Sequence, residues 1–439
     1  MKTKILGIVV LFFILFAFNY SFAGVGNMNF KSFSLKNGSK IKYLHRDNIP
    51  LVYISVLIEA SPLDEEKPAQ AFLTAHMLTH GTKSFSAREI EEKIDFLAIS
   101  IDKQVKPDYT LITLACTKRH LKEAVELFFD IIKNPIFPED EIKKEISILA
   151  NTVKQMENDP SYIANKEFLK ILFGSHPYGR PIHGEFESLK EIKREDMIRF
   201  YERFYKPDRM IFSFVGDINE IELKSLISSY IENWQGKAEG RKINAPLFEK
   251  RQKPFEKLIK RDDLTQSTIL LGFEGISRKD PDFYAFSVMN YILGGGGLTS
   301  RLAKQVREEQ GLAYSIYSTF YPNLLPGAFE IEVKTKSENT SKVIKMIVKE
   351  LERMKTQGVT DEELKEAKSF LTGSFPLRID TMKKICEFLL LMDFYELGDD
   401  YIDKYPEYIE RVTKEDIKRV ANKFLKEDSY ILVVTGKNL

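Results

Sequence analysis

Apolar residues recur at every second position in several short runs of this chain and at helical spacing in longer ones. Runs at Phe30 to Leu35, Lys40 to His45, Val52 to Glu59, Ile99 to Gln104 and Tyr109 to Cys116 predict β-strands. Between and after them the period lengthens, giving helices from about Ala69, from His120, from Pro138 and from Tyr162. Ser86-Ala-Arg-Glu89 sets a serine three residues before a glutamate, a capping box that opens a further helix ending near Phe96. The same order then returns. A strand at Thr268 to Phe273 is followed by a helix from Asp280 to Leu293, a helix carrying Arg307, strands at Ala313 to Phe320 and Ala328 to Thr335, and helices from Ser341, Asp361 and Lys383.

That return is an internal duplication. Glu195 to Gly216 aligns without gaps on Glu415 to Gly436, matching Arg199 with Arg419, Phe204 with Phe424, Asp208 with Asp428 and Ile211 with Ile431. Each copy reads as an amphipathic helix, a turn and a β-rich run ending in glycine. Two long copies of one unit imply two domains, because solenoid repeats are shorter and more numerous. The expected architecture is α+β: two homologous domains, each a mixed, mainly antiparallel sheet with helices packed on one face. Helical periodicity gives way to Gly, Pro and charge after Trp234, which places a linker at 236–257 between domains at 24–235 and 258–439.

The first residues, Met1-Lys-Thr-Lys4, precede an apolar run from Ile5 to Phe18 and then Ser21-Phe-Ala23. This is the pattern of a secretory signal at 1–23, cleaved after Ala23, and the protein is expected to be exported, to the periplasm or an equivalent compartment. Left uncleaved, the run is an N-terminal membrane anchor. The chain from Gly24 carries 63 basic and 64 acidic residues, so no basic excess points to nucleic acid. Two cysteines, Cys116 and Cys386, are too few for a disulfide framework, and Cys116, at the end of an alternating strand, reads as a small buried apolar residue.

Candidate chemistry concentrates between Gly294 and Tyr314. Gly294, Gly295, Gly296 and Gly297 follow an apolar helix but lack the strand context and Lys-Ser/Thr of a phosphate-binding loop, which excludes a nucleotide cradle. They read either as a turn between helices or as a loop that guides substrate. Arg307 ends a helix and Tyr314 opens a strand across the breaker Gly311, an arrangement able to aim a guanidinium and a phenol at one developing oxyanion. The plain alternative is a solvated helix face and an edge-strand tyrosine.

The ordered string of the glycine-rich loop, Thr299-Ser-Arg-Leu302, Arg307, Gly311-Leu-Ala313 and Tyr314 resembles the C-terminal half of the pitrilysin/insulinase family of zinc peptidases, the inverted zincins. The resemblance spans nearly all of the chain after the signal and is strongest to the half-clamshell subunits that work in pairs. It breaks at the metal helix. The family's His-x-x-Glu-His is replaced by Phe72-Leu-Thr-Ala75-His76, followed by His80-Gly-Thr82. Laid on the family pattern, one ligand position is Phe72, the general base is Ala75, and the two later glutamate positions fall at Glu145 and Thr152. A catalytic zinc needs three protein ligands, an open position and a base. His76 and His80, spaced i, i+4, form no replacement site without a carboxylate on that face, so no metal is expected and His76 reads as a satisfied histidine.

Some family members divide the labour, one subunit holding zinc and base and the other the Arg/Tyr pair. The resemblance implies that this chain is the second kind: no cofactor of its own, zinc in a homologous partner subunit, peptide substrates bound between them, and Arg307 and Tyr314 donating to the scissile carbonyl. Two other readings stand beside it, a non-catalytic architectural subunit and a module that captures extended peptides on a sheet edge.

Overall fold

A computed structural model describes residues 28–439 apart from 242, 245, 247, 249–252, 427, 438 and 439. The expected signal segment and the middle of the expected linker therefore lie outside the described residues. Alternation works as the sequence indicates. In the strand Leu51–Ile58, Val52, Ile54, Val56 and Ile58 face one core, while Tyr53 and Leu57 face the opposite side.

The first sheet is built from β1 (Lys31–Ser34), β2 (Lys40–His45), β3 (Leu51–Ile58), β4 (Ser100–Val105), β5 (Thr110–Thr117) and β6 (Met210–Gly216). Their spatial order is β1-β2-β6-β3-β5-β4, with β6 parallel to β2 and every other pairing antiparallel. The second sheet takes β7 (Phe255–Lys260), β8 (Gln266–Glu274), β9 (Ala313–Phe320), β10 (Ala328–Lys336) and β11 (Ile431–Gly436) in the order β7-β11-β8-β10-β9, with β11 parallel to β7. The duplication is thus topological as well. The closing strand of each copy is inserted at the equivalent place, β6 between β2 and β3 and β11 between β7 and β8. β7 begins inside the span read as linker, because Phe255-Glu-Lys-Leu-Ile-Lys260 pairs residue by residue with β11 directly after Pro254.

Helices of the first copy are α1 (Gln70–Met77), α2 (Ala87–Phe96), α3 (Leu121–Lys133), α4 (Glu139–Met156), α5 (Pro160–Phe173), α6 (Phe186–Leu189), α7 (Arg194–Phe204) and α8 (Glu220–Leu226). Those of the second are α9 (Phe283–Asn290), α10 (Thr340–Gln357), α11 (Asp361–Gly373), α12 (Met382–Phe394), α13 (Tyr401–Glu410) and α14 (Lys414–Phe424). The capping box at Ser86 forms, with its side chain taking the Glu89 N–H and the Glu89 carboxylate taking the Ser86 N–H. Three more boxes, at Asn219, Thr360 and Thr413, satisfy the free N–H groups that begin α8, α11 and α14.

The helices of each copy cover one face of its own sheet, and the second face is covered by a helix from the other copy. α5 lies across β8 and β11, where Ala164, Phe168 and Leu172 pack with Leu270, Ile431 and Val433. α12 lies across β3 and β6, where Leu390 and Phe394 pack with Leu57 and Ile211. Both contacts are close. A Cβ on Gly272 would stand 2.5 Å from Phe168 Cζ, and the buried Cys386 thiol donates to the Ser213 carbonyl at 3.3 Å. Cys386 and Cys116 are both free and buried.

Because Phe168 is fully buried on the other copy's sheet, Phe168→Ala should cost about 3 to 5 kcal/mol. The loss should appear in one cooperative transition during denaturant unfolding rather than in an early step confined to residues 28–235. Separate transitions seen by near-UV and far-UV circular dichroism would contradict the exchange as the source of cooperativity.

Candidate functional site

After α9 the chain runs through a π-helical turn (Tyr291–Gly295), a 3-10 turn (Gly297–Thr299) and a π-helix (Ala303–Glu309) that carries Arg307. π-Turns are rare and recur at functional sites. Gly294 is buried against β9, where a Cβ would come within 2.6 Å of the Ser318 N and Oγ. Gly295 and Gly296 are similarly tight against Asn290 and Tyr291 O, whereas Gly297, at φ +60°, faces open space and needs the left-handed backbone itself. The loop is therefore a close-packed turn up to Gly296, with its tip at Gly297 and the exposed Leu298.

The turn into β9 is closed by the Gly311 N–H to Arg307 O at 3.0 Å and the Leu312 N–H to Val306 O at 3.0 Å. Pairing with β10 then shifts register: Lys334 faces Ser315 but Thr335 faces Ala313, which leaves Tyr314 as the extra residue of a β-bulge. Bulges bend a strand and re-aim a side chain. Tyr314 is 81% exposed, and Arg307 is half-exposed with Glu308 Oε1 3.5 Å from its Nε. Both candidate donors are thus presented to solvent by unusual backbone. Beside Tyr314 lies a cavity of about 350 Å³ bordered by Gly311, Leu312, Lys334 and Asn339.

Sequence reasoning left Arg301 without a role, and the structure makes it the anchor of this segment. It is buried, and it forks onto Glu363 at 2.6 and 2.7 Å, reaches Glu350 at 3.1 Å and donates to Gly358 O at 2.8 Å. Against the effect of burial, the Arg301 hydrogen bonds hold the Glu363 carboxyl down to about 2. The signal was present in Thr299-Ser-Arg-Leu302, but the partners come from α10 and α11, about fifty and sixty residues downstream.

The expected metal positions are dismantled in three different ways. Phe72 stacks on His76 with ring centroids 4.0 Å apart and meets His183 edge-on at 4.7 Å, filling the ligand position with hydrocarbon. Ala75, at the place of the base, is wholly buried in the core. Thr152 turns its hydroxyl back onto Ile148 O of its own helix at 3.0 Å. The expectation that no carboxylate shares the face of His76 and His80 is corrected, because α4 crosses α1 and brings Glu145 Oε1 to 3.6 Å from His76 and Oε2 to 3.8 Å from His80. The His76 imidazole beside it holds the Glu145 carboxyl below the usual carboxylate range, and burial pushes the His80 imidazole down.

Lys103 of β4 enters the same place, donating to His76 O at 3.0 Å and Thr79 Oγ1 at 2.6 Å. Among the described residues no group of three or more His, Cys, Asp or Glu is arranged to hold a metal ion. Glu145 stands at ion-pair distance from both imidazoles with the Lys103 ammonium nearby, and Phe72, Ala75 and Thr152 supply neither the family's other ligands nor its base, so the residues present do not fit the family's catalytic zinc site.

Two duplicated α+β units, joined by exchanged helices and carrying a peptidase-like metal helix with Phe72 and Ala75 at a ligand and the base position, define a peptidase-homology protein. Comparison with known proteins agrees. The description "Insulinase (Peptidase family M16)" matches residues 42–185 and "Peptidase M16 inactive domain" matches residues 191–371. The chain belongs to peptidase family M16. It is 27% identical over 411 residues to the uncharacterized zinc protease YmxG of Bacillus subtilis, covering 92% of this chain and 98% of that one. It is 28% identical over 357 residues to the non-peptidase homolog YmxG of Helicobacter pylori, covering 79% and 80%. Among solved structures it resembles the peptidase M16 inactive domain from Pseudomonas fluorescens, with a TM-score of 0.85 at 26% identity over 94% of this chain and 99% of that one.

Burial pushes the Lys103 ammonium down to about 8. The unfolded chain binds the proton more tightly, so folding stability should rise with pH from about 8 toward the ordinary lysine value near 10.4. Lys103→Met removes that term. Denaturant unfolding at the two ends of the window should show wild type gaining on the variant by about 3 kcal/mol, and a constant gap between them would contradict a buried, charged Lys103.

Proposed function

We propose that this chain is the non-zinc subunit of a heterodimeric metallopeptidase, binding peptide substrate and supplying Arg307 and Tyr314 to an active site completed by a zinc-bearing homologous subunit. The carrying observation is the contrast between two sites: the metal positions are filled by Phe72, Ala75 and Thr152, while Arg307 and Tyr314 stand exposed on a π-helix and a bulge. Among the described residues no ion pair or hydrogen bond engages these two side chains beyond Glu308, and the irregular backbone that presents them suits a task outside the chain. The guanidinium fork and the phenol would donate to the scissile carbonyl oxygen as it becomes tetrahedral, and such donors lower the barrier by binding the transition state more tightly than the substrate. The turn from Gly294 to Gly297 would border the substrate path. With residues 1–23 as signal, or as anchor, the complex would work outside the cytoplasm.

One observation favours a second reading. β4 is an edge strand of the first sheet and lies against the lost metal centre, so an extended peptide could add to it and be held without cleavage. Both this capture role and a purely architectural one predict that Arg307 and Tyr314 are dispensable.

Purified alone, the chain should hold no stoichiometric zinc and cleave no peptide, by metal analysis and peptidase assay. Co-purification from the native host should return a one-to-one complex with a homologous subunit that contains zinc. In that complex Tyr314→Phe should lose about 2.7 to 4 kcal/mol of transition-state stabilisation, roughly a hundred- to a thousand-fold in kcat, with zinc content and assembly unchanged. Arg307→Lys should lose a similar amount, because a point charge does not reproduce the planar fork. Near-full turnover in both variants would transfer the conclusion to the capture or architectural reading.

A further inference from the structure

One face of β10 carries a row of charges, because Glu330, Glu332, Lys334 and Lys336 fall at alternate positions of the strand. The acidic end of the row is occupied. Asn165 Nδ2 of α5 donates to Glu330 Oε2 at 3.0 Å, Ser161 Oγ donates to Glu332 Oε1 at 2.8 Å, and the Tyr317 hydroxyl takes the other Glu332 oxygen at 2.7 Å. α5 begins at Pro160, so the row runs on past the start of the helix to the two lysines. Among the described residues neither lysine ammonium makes an ion pair or a hydrogen bond, with Lys334 half-buried and Lys336 exposed.

The bulge in β9 brings Tyr314 to the same place. Lys334 faces Ser315 and Thr335 faces Ala313, so Tyr314 enters as the extra residue beside Lys334. The cavity of about 350 Å³ beside Tyr314 is bordered by Lys334 and Lys336, by Gln266, which pairs with Lys336 across the sheet, and by Asn339 from the turn after β10. No aspartate or glutamate borders it.

The lining is therefore cationic and neutral-polar, with nothing of the chain's own to balance it. Alternate residues of a strand lie about 7 Å apart, so the two ammonium groups repel, and an anion held between them is attracted by both. Lysines offer point charges on flexible stems, and the side-chain amides of Gln266 and Asn339 offer neutral donors. A carboxylate is the anion that a peptide carries, and the cavity's remaining polar wall is the tyrosine assigned above to the peptide carbonyl.

We propose that this cavity binds a carboxylate of the peptide substrate, with Lys334 and Lys336 as counter-ions and Gln266 and Asn339 as neutral donors. This rests on the reading that peptide passes Tyr314, and it adds the substrate class: acidic peptides, anchored beside the bond that Tyr314 polarises. The carboxylate comes either from a Glu or Asp side chain or from the peptide's own C-terminus. The first source gives a preference for an acidic residue near the cleaved bond, and the second gives cleavage near the C-terminal end.

Peptide binding to the purified chain, which needs no zinc partner, tests this separately from the turnover of Tyr314→Phe in the complex. Fluorescence anisotropy compares three labelled hexapeptides of otherwise identical sequence: one with a single glutamate and an amidated C-terminus, one with glutamine in its place and the same amide, and the glutamine peptide with a free C-terminal carboxylate. The glutamate peptide should bind at least about tenfold tighter than the neutral one if side chains are the source, and the free-acid peptide should do so if the C-terminus is. The double variant Lys334→Gln, Lys336→Gln should reduce the favoured peptide to the affinity of the neutral one, which should itself be unchanged. Lys334→Arg with Lys336→Arg, which keeps both charges, should retain the preference. The comparison among peptides on the wild-type chain stands whether or not a variant folds. Equal binding of all three peptides, no binding of any, or a preference that survives in the folded glutamine variant overturns the proposal.

Discussion

Everything else in this molecule depends on the reciprocal burial of α5 and α12. Each sheet has two apolar faces, and the helices of its own copy cover only one, so neither copy can bury its hydrophobic strands alone. Phe168 over Gly272 and Cys386 over Ser213 fill the two second faces from opposite directions. Polar contacts follow the same exchange, with Lys42, nearly buried, reaching Asp393 on α12 at 3.0 Å. The two halves thus share one folding unit even though each has its own sheet and its own main core.

That construction fixes where chemistry can sit. With both sheet faces covered, backbone and side chains remain available at the strand edges, at helix ends and along the seam. The lost metal centre lies between α1, α4 and the edge strand β4, and Tyr314 lies on the corresponding edge strand β9 of the second sheet. The duplication therefore places one modified site in each copy. In the first, Phe72 and Thr152 stand at ligand positions and Glu145 is shared by two histidines. In the second the backbone departs from regular geometry at two π-turns and a bulge, and Arg301 stiffens the segment from beneath with carboxylates of α10 and α11. Local irregularity held by a rigid anchor is how a fold presents a side chain outward without losing stability.

Much of this was legible along the chain. Alternation and capping signals located every strand but β7, and most helices, to within a few residues, and the gapless match of Glu195–Gly216 with Glu415–Gly436 revealed the duplication whose two strands, β6 and β11, take equivalent places in their sheets. The replacement of Phe72, Ala75 and Thr152 was visible because ligand chemistry depends on residue type, which a sequence states directly. The anchoring of Arg301, Glu145 beside the two histidines, and the cavity shared by Tyr314, Lys334 and Lys336 were not visible, since each depends on how separate elements meet.

The sequence by itself determined most of the elements, their order, the α+β character and the residue types that stand at the family's metal positions, because periodicity, capping and donor type are local properties. Tertiary structure alone decided that the halves exchange helices, that Tyr314 is the extra residue of a bulge, and that two lysines of β10 border the same cavity as that tyrosine. Those facts concern which distant surfaces meet and how strands register. Both are set by the simultaneous packing of the whole chain rather than by any window of it.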